Sequence, residues 1–186
     1  MQFLQFVNTH VEMESMAALD LQAMLQTKTF DKGSYLVKRG EPCRKIYFVE
    51  EGLLKTSFNR DGKEFIMRFF PESSMFTVLD SYTQRTPSTY NIIALEKSDL
   101  SFIDRLDFDA LCKKYHCVET FFRKLVTLAS LNMMKRISEM LEENAHDRYN
   151  NFVEENGALL QRISLGDLAN YLGITQVSLS RIRAKN

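Results

Sequence analysis

The spacing of apolar residues divides the chain into a helical start, a β-rich middle and a helical C-terminal part. Within residues 1–30, apolar side chains such as Leu4, Val7 and Val11 recur at helical intervals, which predicts one or two short helices that cover one end of the β-rich part. From Phe30 onward the period changes to two, and turns are marked by Gly33, Gly40, Gly52 and Gly62. Short strands separated by glycine turns predict a β-sandwich or a β-barrel.

The predicted strands are runs rich in β-branched and aromatic residues. They span residues 35–37, 46–49, 53–58, 65–70, 90–95 and 100–103. Asp61 and Gly62 stand between two of these runs and predict a hairpin, because a type I′ turn needs positive φ at both positions. We therefore expect a compact antiparallel β-roll that ends near Asp104.

A long helix is predicted at residues 118–142, after a short helix at residues 106–113. The long segment contains neither Pro nor Gly and carries apolar residues at helical spacing. A helix of this length has more apolar surface than one small domain covers, so we expect it to pair with a second copy of the chain. Leu125, Leu128 and Leu131 should lie at or beside the seam. The alternative is a helix that only packs across its own β-roll.

The last part of the chain predicts two short helices joined by a tight turn. The first helix has an apolar stripe formed by Leu165, Leu168, Ala169 and Leu172. Gly173 can end this helix in the left-handed conformation, and Thr175 offers an N-cap oxygen to the second helix. Leu179 and Ile182 are the inward residues of the second helix. Two helices joined by such a turn form a helix-turn-helix.

The outward face of the second helix predicts contact with DNA. It carries short polar groups and guanidinium groups, which are the groups that contact phosphates and base edges. Its residues are Thr175, Gln176, Val177, Ser178, Ser180, Arg181 and Arg183. The alternative is that the two helices are only a packing unit.

The charge of the chain is balanced overall and uneven locally. Lysine and arginine together number 24, as do aspartate and glutamate, so the net charge gives no global signal for nucleic acid. Residues 162–186, however, hold four basic side chains and one acidic side chain, whereas residues 138–156 hold six acidic side chains and one basic one. A basic tip on a neutral body favours a protein that reads a short DNA segment over one that wraps DNA non-specifically.

The remaining composition argues against several other classes of protein. Three cysteines are too few and too scattered for a disulfide framework. Cys112, His116 and Cys117 lie within six residues, but no fourth ligand follows at a recognisable spacing, so we expect incidental thiols and no metal. No signal peptide or membrane-length apolar run is present, which predicts a cytoplasmic protein. No nucleophile–base pair or phosphate loop is visible, so we expect no catalytic residue and no enzyme.

The order of a glycine-punctuated β-roll, a long helix and a C-terminal helix-turn-helix resembles the Crp/Fnr superfamily of bacterial transcription regulators over nearly the whole chain. Two motifs carry the resemblance. The first is Gly33-x6-Gly40 followed by Ile46-Tyr47-Phe48-Val49-Glu50-Glu51-Gly52-Leu53-Leu54-Lys55, similar to the start of a cyclic-nucleotide-binding domain. The second is similar to the DNA reader of the branch common in Bacteroidetes: Leu168-Ala169-x2-Leu172-Gly173-Ile174-Thr175-x3-Leu179-Ser180-Arg181-Ile182-Arg183.

The resemblance implies an α+β fold with three parts. These are a sensor β-roll (a double-stranded β-helix) at residues 1–117, a dimerisation helix at residues 118–142 and a helix-turn-helix domain at residues 143–186. It implies double-stranded DNA, a second copy of the chain, RNA polymerase and an unknown small-molecule effector as partners. On the family pattern, Gln176, Val177 and Arg181 face base edges, while Thr175 and Ser178 face phosphates.

The chain departs from the family pattern in the effector pocket. Cyclic-AMP-binding members have a Gly-Glu pair that holds the ribose and an Arg that pairs with the cyclic phosphate. Thr77 and Val78 stand in place of Gly-Glu, Ser88 replaces the Arg, and Leu79 and Thr89 flank them. Because Ser88 offers no charge to a phosphate, we expect a degenerate pocket that does not bind cyclic AMP. Any effector should then be small and neutral or apolar. The alternative is a protein that is active without any effector.

Other cofactors of the superfamily are not expected. Oxygen-sensing members carry a cysteine cluster near the N-terminus, and this sequence has no cysteine before Cys43. Haem-sensing members need axial ligands, whereas His10, His116 and His146 stand alone in the sequence. We therefore expect no cofactor.

A second interpretation of the chain stays open, because no hairpin wing follows the second helix before Asn186. In that case the protein is a signal-binding or dimerisation module whose helix-turn-helix no longer binds DNA.

Overall fold

The computed structural model describes residues 3–184, with helices towards both ends of the chain and strands between them. The helices are α1 (Phe3–Asn8), α2 (Ser15–Met24), α3 (Leu79–Gln84), α4 (Arg105–Lys114), α5 (His116–Glu142), α6 (Ala145–Asn156), α7 (Leu165–Leu172) and α8 (Gln176–Arg183), with a 3-10 helix at Gly157–Gln161. The strands are β1 (Gln26–Phe30), β2 (Tyr35–Val37), β3 (Lys45–Glu51), β4 (Leu54–Arg60), β5 (Lys63–Phe70), β6 (Met75–Phe76), β7 (Asn91–Ala94) and β8 (Ser98–Asp104). Among these helices, none combines the length and the apolar character that crossing a bilayer requires.

The strands form two four-stranded antiparallel sheets. The first has the order β1-β8-β3-β6 and the second has the order β2-β7-β4-β5. Their facing sides enclose one apolar core, to which Tyr47, Val49, Leu54, Phe70 and Leu100 belong. The predicted α+β class with antiparallel sheets is confirmed.

Strand β3 is buried on both faces, which explains why its sequence is apolar almost without interruption. Tyr47 and Val49 point into the core between the sheets. Ile46 and Phe48 point to the opposite side, where they pack against α1, α2, α4 and the start of α5. Alternating side chains of a strand point to opposite faces, so only a strand covered on both sides needs apolar residues throughout. Full burial of a side chain such as Phe48 stabilises the fold by about 1.5–3 kcal/mol.

Strand β6, the helices α3 and α6 and the 3-10 helix were not predicted from the sequence, and one region was assigned wrongly. Residues 26–30 form strand β1, although they were included in the predicted helical start. Four of the five residues of β1 are exposed, so its pattern does not show the alternation that marks a half-buried strand. The short strand β6 and the helix α3 were also not predicted, because segments of two and six residues carry too little periodicity.

The hairpin between β4 and β5 was predicted correctly. Asp61 and Gly62 have φ values of 52° and 74°, as a type I′ turn requires. Residues 60 and 63 pair directly across the turn. This hairpin brings β4 and β5 together as the edge of the second sheet, and the outer side of that edge carries the C-terminal helices.

Helix α5 is covered by its own domain only along its first part. Val118 and Phe121 are fully buried, and Leu125 is half-buried against the same core. Farther along, the large apolar side chains are exposed, among them Leu128, Leu131, Met133, Met134, Ile137, Met140 and Leu141. The structure therefore leaves an apolar helix surface without a cover among the described residues.

We predict that Gly52→Ala destabilises the protein much more than Gly33→Ala. Both glycines have positive φ, 108° and 83°, which costs a β-carbon-bearing residue about 1–2 kcal/mol. At Gly52 an added Cβ would also lie 2.7 Å from the Cα of Ser98, whereas at Gly33 it would meet no atom within 4 Å. Urea unfolding of the two variants should therefore show a clearly lower midpoint for Gly52→Ala. Equal midpoints would mean that the contact between the Gly52 turn and β8 is looser than described here.

Candidate functional site

The C-terminal helix pair is built from two capped helices and a turn. Ser164 caps α7 by accepting a hydrogen bond from the Asp167 N–H at 3.0 Å. Helix α7 ends at Gly173, which has a φ of 71°, and Thr175 caps α8 by accepting from the Ser178 N–H at 3.1 Å. Each cap satisfies a backbone donor that the first turn of a helix leaves free, and stabilises the helix by about 1 kcal/mol.

The inner side of the pair is apolar and closely packed. Leu168, Ala169 and Leu172 of α7 and Leu179 of α8 are all buried, and Ile182 is half-buried beside them. The small side chain of Ala169 leaves room for α8 to approach. Anchoring by Leu179 fixes which side of α8 faces away from the protein.

The outward face of α8 is open to solvent. Val177 is 62% exposed, and Thr175, Gln176, Ser180, Arg181 and Arg183 are exposed as well. Ser178 is half-buried, and its hydroxyl lies 2.9 Å from that of Thr175. The side-chain amide of Gln176 lies next to Gly166 at the start of α7. Six of the seven residues expected at the DNA interface are thus exposed, and Ser178 is half-buried.

Among the described residues expected at this face, the positive charge comes from Arg181 and Arg183 of α8. Among the described residues, neither Arg181 nor Arg183 forms an ion pair with a carboxylate. Arg162, counted in the predicted basic tip, is instead bound to Glu72 and Glu96. Lys185, which was also counted there, lies outside the described residues. Of the four basic residues expected at this tip, Arg181 and Arg183 are therefore the two described ones that form no ion pair with a carboxylate of the described residues.

The residues expected at the effector pocket include three whose side chains are engaged within the chain, Thr77, Val78 and Ser88. Ser88 is 2% exposed, and its hydroxyl donates to the Tyr90 carbonyl at 2.7 Å and accepts from the Tyr90 N–H at 3.1 Å. The Thr77 hydroxyl donates to the Lys45 carbonyl at 2.9 Å. Val78 is buried in the core between the sheets. The two hydroxyls therefore have hydrogen-bond partners within the chain, and the apolar side chain of Val78 is packed in the core.

The two flanking residues of the pocket are exposed. Leu79 is 38% exposed at the start of α3, and the Thr89 hydroxyl donates to a carboxylate oxygen of Asp80 at 3.3 Å. Sequence reasoning missed Ser81, which is fully buried and links α3 to its surroundings. Its hydroxyl accepts from the Cys43 N–H and donates to the Thr86 carbonyl. The position of Ser81 between Asp80 and Tyr82 gave no sign of this role.

Aromatic rings occupy the core next to this segment. The ring of Phe76 stacks on that of Phe70 with centroids 4.3 Å apart and on that of Tyr47 at 5.5 Å. Burial raises the pKa of the Tyr47 hydroxyl far above its ordinary value. This region is packed with side chains, and the guanidinium of Arg68 lies 5.6 Å from the centre of the Phe70 ring.

A shallow groove lies at the edge of the sheet near Thr89. It has a volume of about 210 Å³ and is lined by Arg39, Phe58, Asn59, Arg60, Thr89 and Tyr90. Arg39 donates to the Asn59 carbonyl at 3.2 Å, and Arg60 lies 3.8 Å from Asp61. The sequence analysis did not single out these arginines, because they stand far apart in sequence. The groove differs from the segment around Ser88 in presenting guanidinium groups.

The cysteines do not assemble a metal site. Among residues 3–184, no group of three or more His, Cys, Asp or Glu side chains is arranged to hold a metal ion. Cys117 is buried with its sulfur 3.4 Å from that of Met13. Cys112 is half-buried, and burial raises the pKa of its thiol to about 12. Such a thiol stays protonated near neutral pH and is a poor nucleophile.

Comparison with known proteins gives a family for the central part and a fold for nearly the whole chain. Residues 27–115 match the cyclic nucleotide-binding domain family. Among curated protein sequences, none matches the chain.

Three solved structures illustrate the fold. FixK2 from Bradyrhizobium japonicum has 15% sequence identity and a TM-score of 0.76, over 87% of this chain and 83% of FixK2. A protein from Eubacterium rectale, described as a regulator of the Crp/Fnr family, has 18% identity and a TM-score of 0.73, over 91% of this chain and 82% of that one. A CooA variant from Carboxydothermus hydrogenoformans has 14% identity and a TM-score of 0.74, over 100% and 84% of the two chains. At these identities the likeness establishes the fold.

We predict that calorimetry with cyclic AMP or cyclic GMP gives no heat of specific binding. The cyclic phosphate needs a cation, whereas the hydroxyl of Ser88 carries no charge and is bound to Tyr90. Adding either nucleotide should also leave the thermal unfolding midpoint unchanged, because a ligand that binds only the folded state would raise it. A micromolar dissociation constant for either nucleotide would overturn this interpretation of Val78 and Ser88.

Proposed function

We propose that this protein is a dimeric, sequence-specific DNA-binding transcription regulator that does not respond to cyclic AMP. Its residues 27–115 are a cyclic nucleotide-binding domain, and its fold is that of the Crp/Fnr regulators. The observation that carries the proposal is the outward face of α8. It combines short polar side chains with Arg181 and Arg183, whose charges no carboxylate of the described residues neutralises. Free guanidinium groups beside hydroxyls suit phosphates and the edges of bases.

The roles of individual residues follow from their position on α8. Thr175 and Ser178 stand at the start of the helix, where hydroxyls and backbone N–H groups can meet a phosphate. Gln176, Val177 and Arg181 reach base edges in this proposal. Arg181 takes the O6 and N7 atoms of a guanine as a bidentate pair, and Val177 contacts a thymine methyl group, because it has neither donor nor acceptor.

The exposed part of α5 supports the dimer. Its large apolar residues would leave water on forming a seam with the same surface of a second copy. Thr127, Leu131, Met134, Ser138 and Leu141 recur at alternating intervals of four and three residues, which is the spacing of a coiled-coil seam. Leu128 flanks this row, whereas Leu125 packs on its own domain. We therefore place the centre of the seam around Leu131 and Met134, with Leu128 beside it and Leu125 at its edge.

We predict that the wild-type protein sediments as a dimer and that the double variant Leu131→Glu with Met134→Glu sediments as a monomer. Each copy of the variant would bring two carboxylates into an apolar seam, and burying unpaired charge is costly. Leu106→Glu is the matched control, because Leu106 is 72% exposed on α4, outside the seam. This control should remain dimeric. A wild-type protein that is monomeric at micromolar concentration would remove the dimer from the proposal.

We predict that Arg181→Ala weakens binding to the selected DNA site by about 1–3 kcal/mol and abolishes the preference for guanine at one position of each half-site. Selection from a random duplex library identifies the site, and titration of matched and single-substituted duplexes measures the preference. Arg60→Ala, an exposed arginine on the β4–β5 hairpin, is the control and should retain wild-type preference. Equal weakening of all sequences by Arg181→Ala would contradict the proposed placement of α8.

Val177→Glu provides an independent test of the same helix. A carboxylate can accept a hydrogen bond from the N4 amino group of cytosine, so the preference at the neighbouring position should shift towards a C·G pair. Val177 is exposed, and the substitution should therefore leave the stability of the fold nearly unchanged. A wild-type protein that already requires cytosine at this position would contradict the role given to Val177.

A further inference from the structure

The C-terminal helix pair does not have a core of its own. Leu53, Ile66 and Phe69, on the outer side of the second sheet, belong to the same apolar cluster as Leu168 and Leu172 of α7. The ring of Phe69 lies 5.3 Å from that of Tyr171 in α7 and 6.2 Å from that of Phe152 in α6, measured between centroids. Separation of the helix pair from the sheet would therefore expose apolar surface on both sides.

A buried ion pair ties the start of α7 to strand β4. Lys55 is only 8% exposed, and its Nζ lies 2.7 Å from Asp167 of α7 and 2.9 Å from Glu64 of β5. Burial raises the pKa of the Asp167 carboxyl, but hydrogen bonds from Lys55 and Ser164 outweigh burial and hold the pKa below its ordinary value. Asp167 is thus a carboxylate, and Lys55 bridges it to the sheet.

A second charged contact fixes the segment that leads into α7. The guanidinium of Arg162 donates to both carboxylate oxygens of Glu72, at 2.7 and 2.9 Å, and also contacts Glu96. The hydrogen bonds from Arg162 lower the pKa of Glu72 to about 2. Glu72 also accepts from the Gly52 N–H at 2.9 Å. A bidentate guanidinium–carboxylate pair restricts orientation as well as distance.

The other end of α7 is held by the long helix and its successor. Arg136 of α5 donates to the Tyr171 carbonyl, and its guanidinium lies 4.1 Å from the centre of the Tyr171 ring. Arg148 of α6 donates to the Leu172 carbonyl at 3.1 Å. The last carbonyls of a helix lack partners within the helix, so these contacts satisfy them and fix the direction of α7 relative to α5.

We propose that Lys55, Arg162 and Arg136 are positioning residues that set the separation of the two DNA half-sites. The inference rests on the proposed function, because it concerns how a dimer presents α8 to DNA. Helix α7 is held at its start by the sheet and at its end by α5, the helix that carries the proposed dimer seam. These contacts fix α7 relative to the dimer axis, and the turn at Gly173 with the packing of Leu179 fixes α8 on α7.

The geometry of DNA makes this positioning measurable. Each base pair inserted between half-sites moves the second half-site by about 3.4 Å and turns it by about 34° around the duplex. A rigidly held pair of α8 helices tolerates such a change poorly, whereas a loosely held pair follows it. The contacts of Lys55, Arg162 and Arg136 thus act as a clamp on α7. The clamp should appear as a sharp preference for one separation of the half-sites, independent of base preference.

The test compares duplexes in which the half-site separation is changed by one or two base pairs either way. Wild type should lose about tenfold or more in affinity for a change of one base pair. Lys55→Met and Arg162→Met should lose no more than about threefold for the same change, with unchanged base preference within each half-site. Lys55→Arg should restore the wild-type profile. Arg60→Met removes the same charge from the exposed end of β4 and should also keep that profile.

Hydrogen exchange of the DNA-free dimer tests the clamp without DNA. Lys55→Met and Arg162→Met should raise exchange of amides in residues 165–183 by about tenfold or more, with residues 98–104 unchanged. Wild type that binds no duplex selectively would refute the proposed function, while exchange would still decide whether the clamp exists. Variants that keep the wild-type exchange, or that keep a sharp spacing preference, would overturn the clamp. If Lys55→Met does not fold, the half-exposed Arg162→Met decides the test alone.

Discussion

The outer side of the second sheet is the constraint from which the rest of this structure follows. Leu53, Ile66 and Phe69 point away from the core between the sheets, and they would face water if nothing covered them. The C-terminal helices provide that cover, and the apolar area removed from water holds them in place. Because one side of each C-terminal helix is used for this purpose, the opposite side is the one available for a partner.

Charged contacts fix the orientation of α7 on the sheet, which apolar packing alone does not determine. Apolar contact is non-directional, so the cluster around Phe69 alone would allow α7 to slide or rotate on the sheet. The Lys55–Asp167 pair joins strand β4 to α7, and the Arg162–Glu72 pair joins the loop after β5 to the segment before α7. A buried pair of this kind adds little net stability, but loss of one partner leaves a buried charge uncompensated. Orientation is therefore what these side chains contribute most clearly.

The segment around Ser88 and helix α8 differ in how their polar side chains are used. The segment around Ser88 keeps its fold, since Ser81 and Ser88 hold it through hydrogen bonds within the chain. Helix α8, in contrast, carries two exposed guanidinium groups that form no ion pair with a carboxylate of the described residues.

Local signals in the sequence determined a large part of this molecule. The strands β3 and β5, the turn at Asp61 and Gly62, the long helix and the α7–α8 pair could be predicted, because periodicity and turn chemistry act over a few neighbouring residues. The exposed strand β1 and the two-residue strand β6 could not, since partners distant in sequence define them. The outward side of α8 followed from its own pattern. Only the tertiary structure decided three other contacts. Arg162 pairs with Glu72 and Glu96, Leu125 packs on its own domain, and Lys55 pairs with Asp167. Each contact depends on which distant residues the fold brings within a few ångströms.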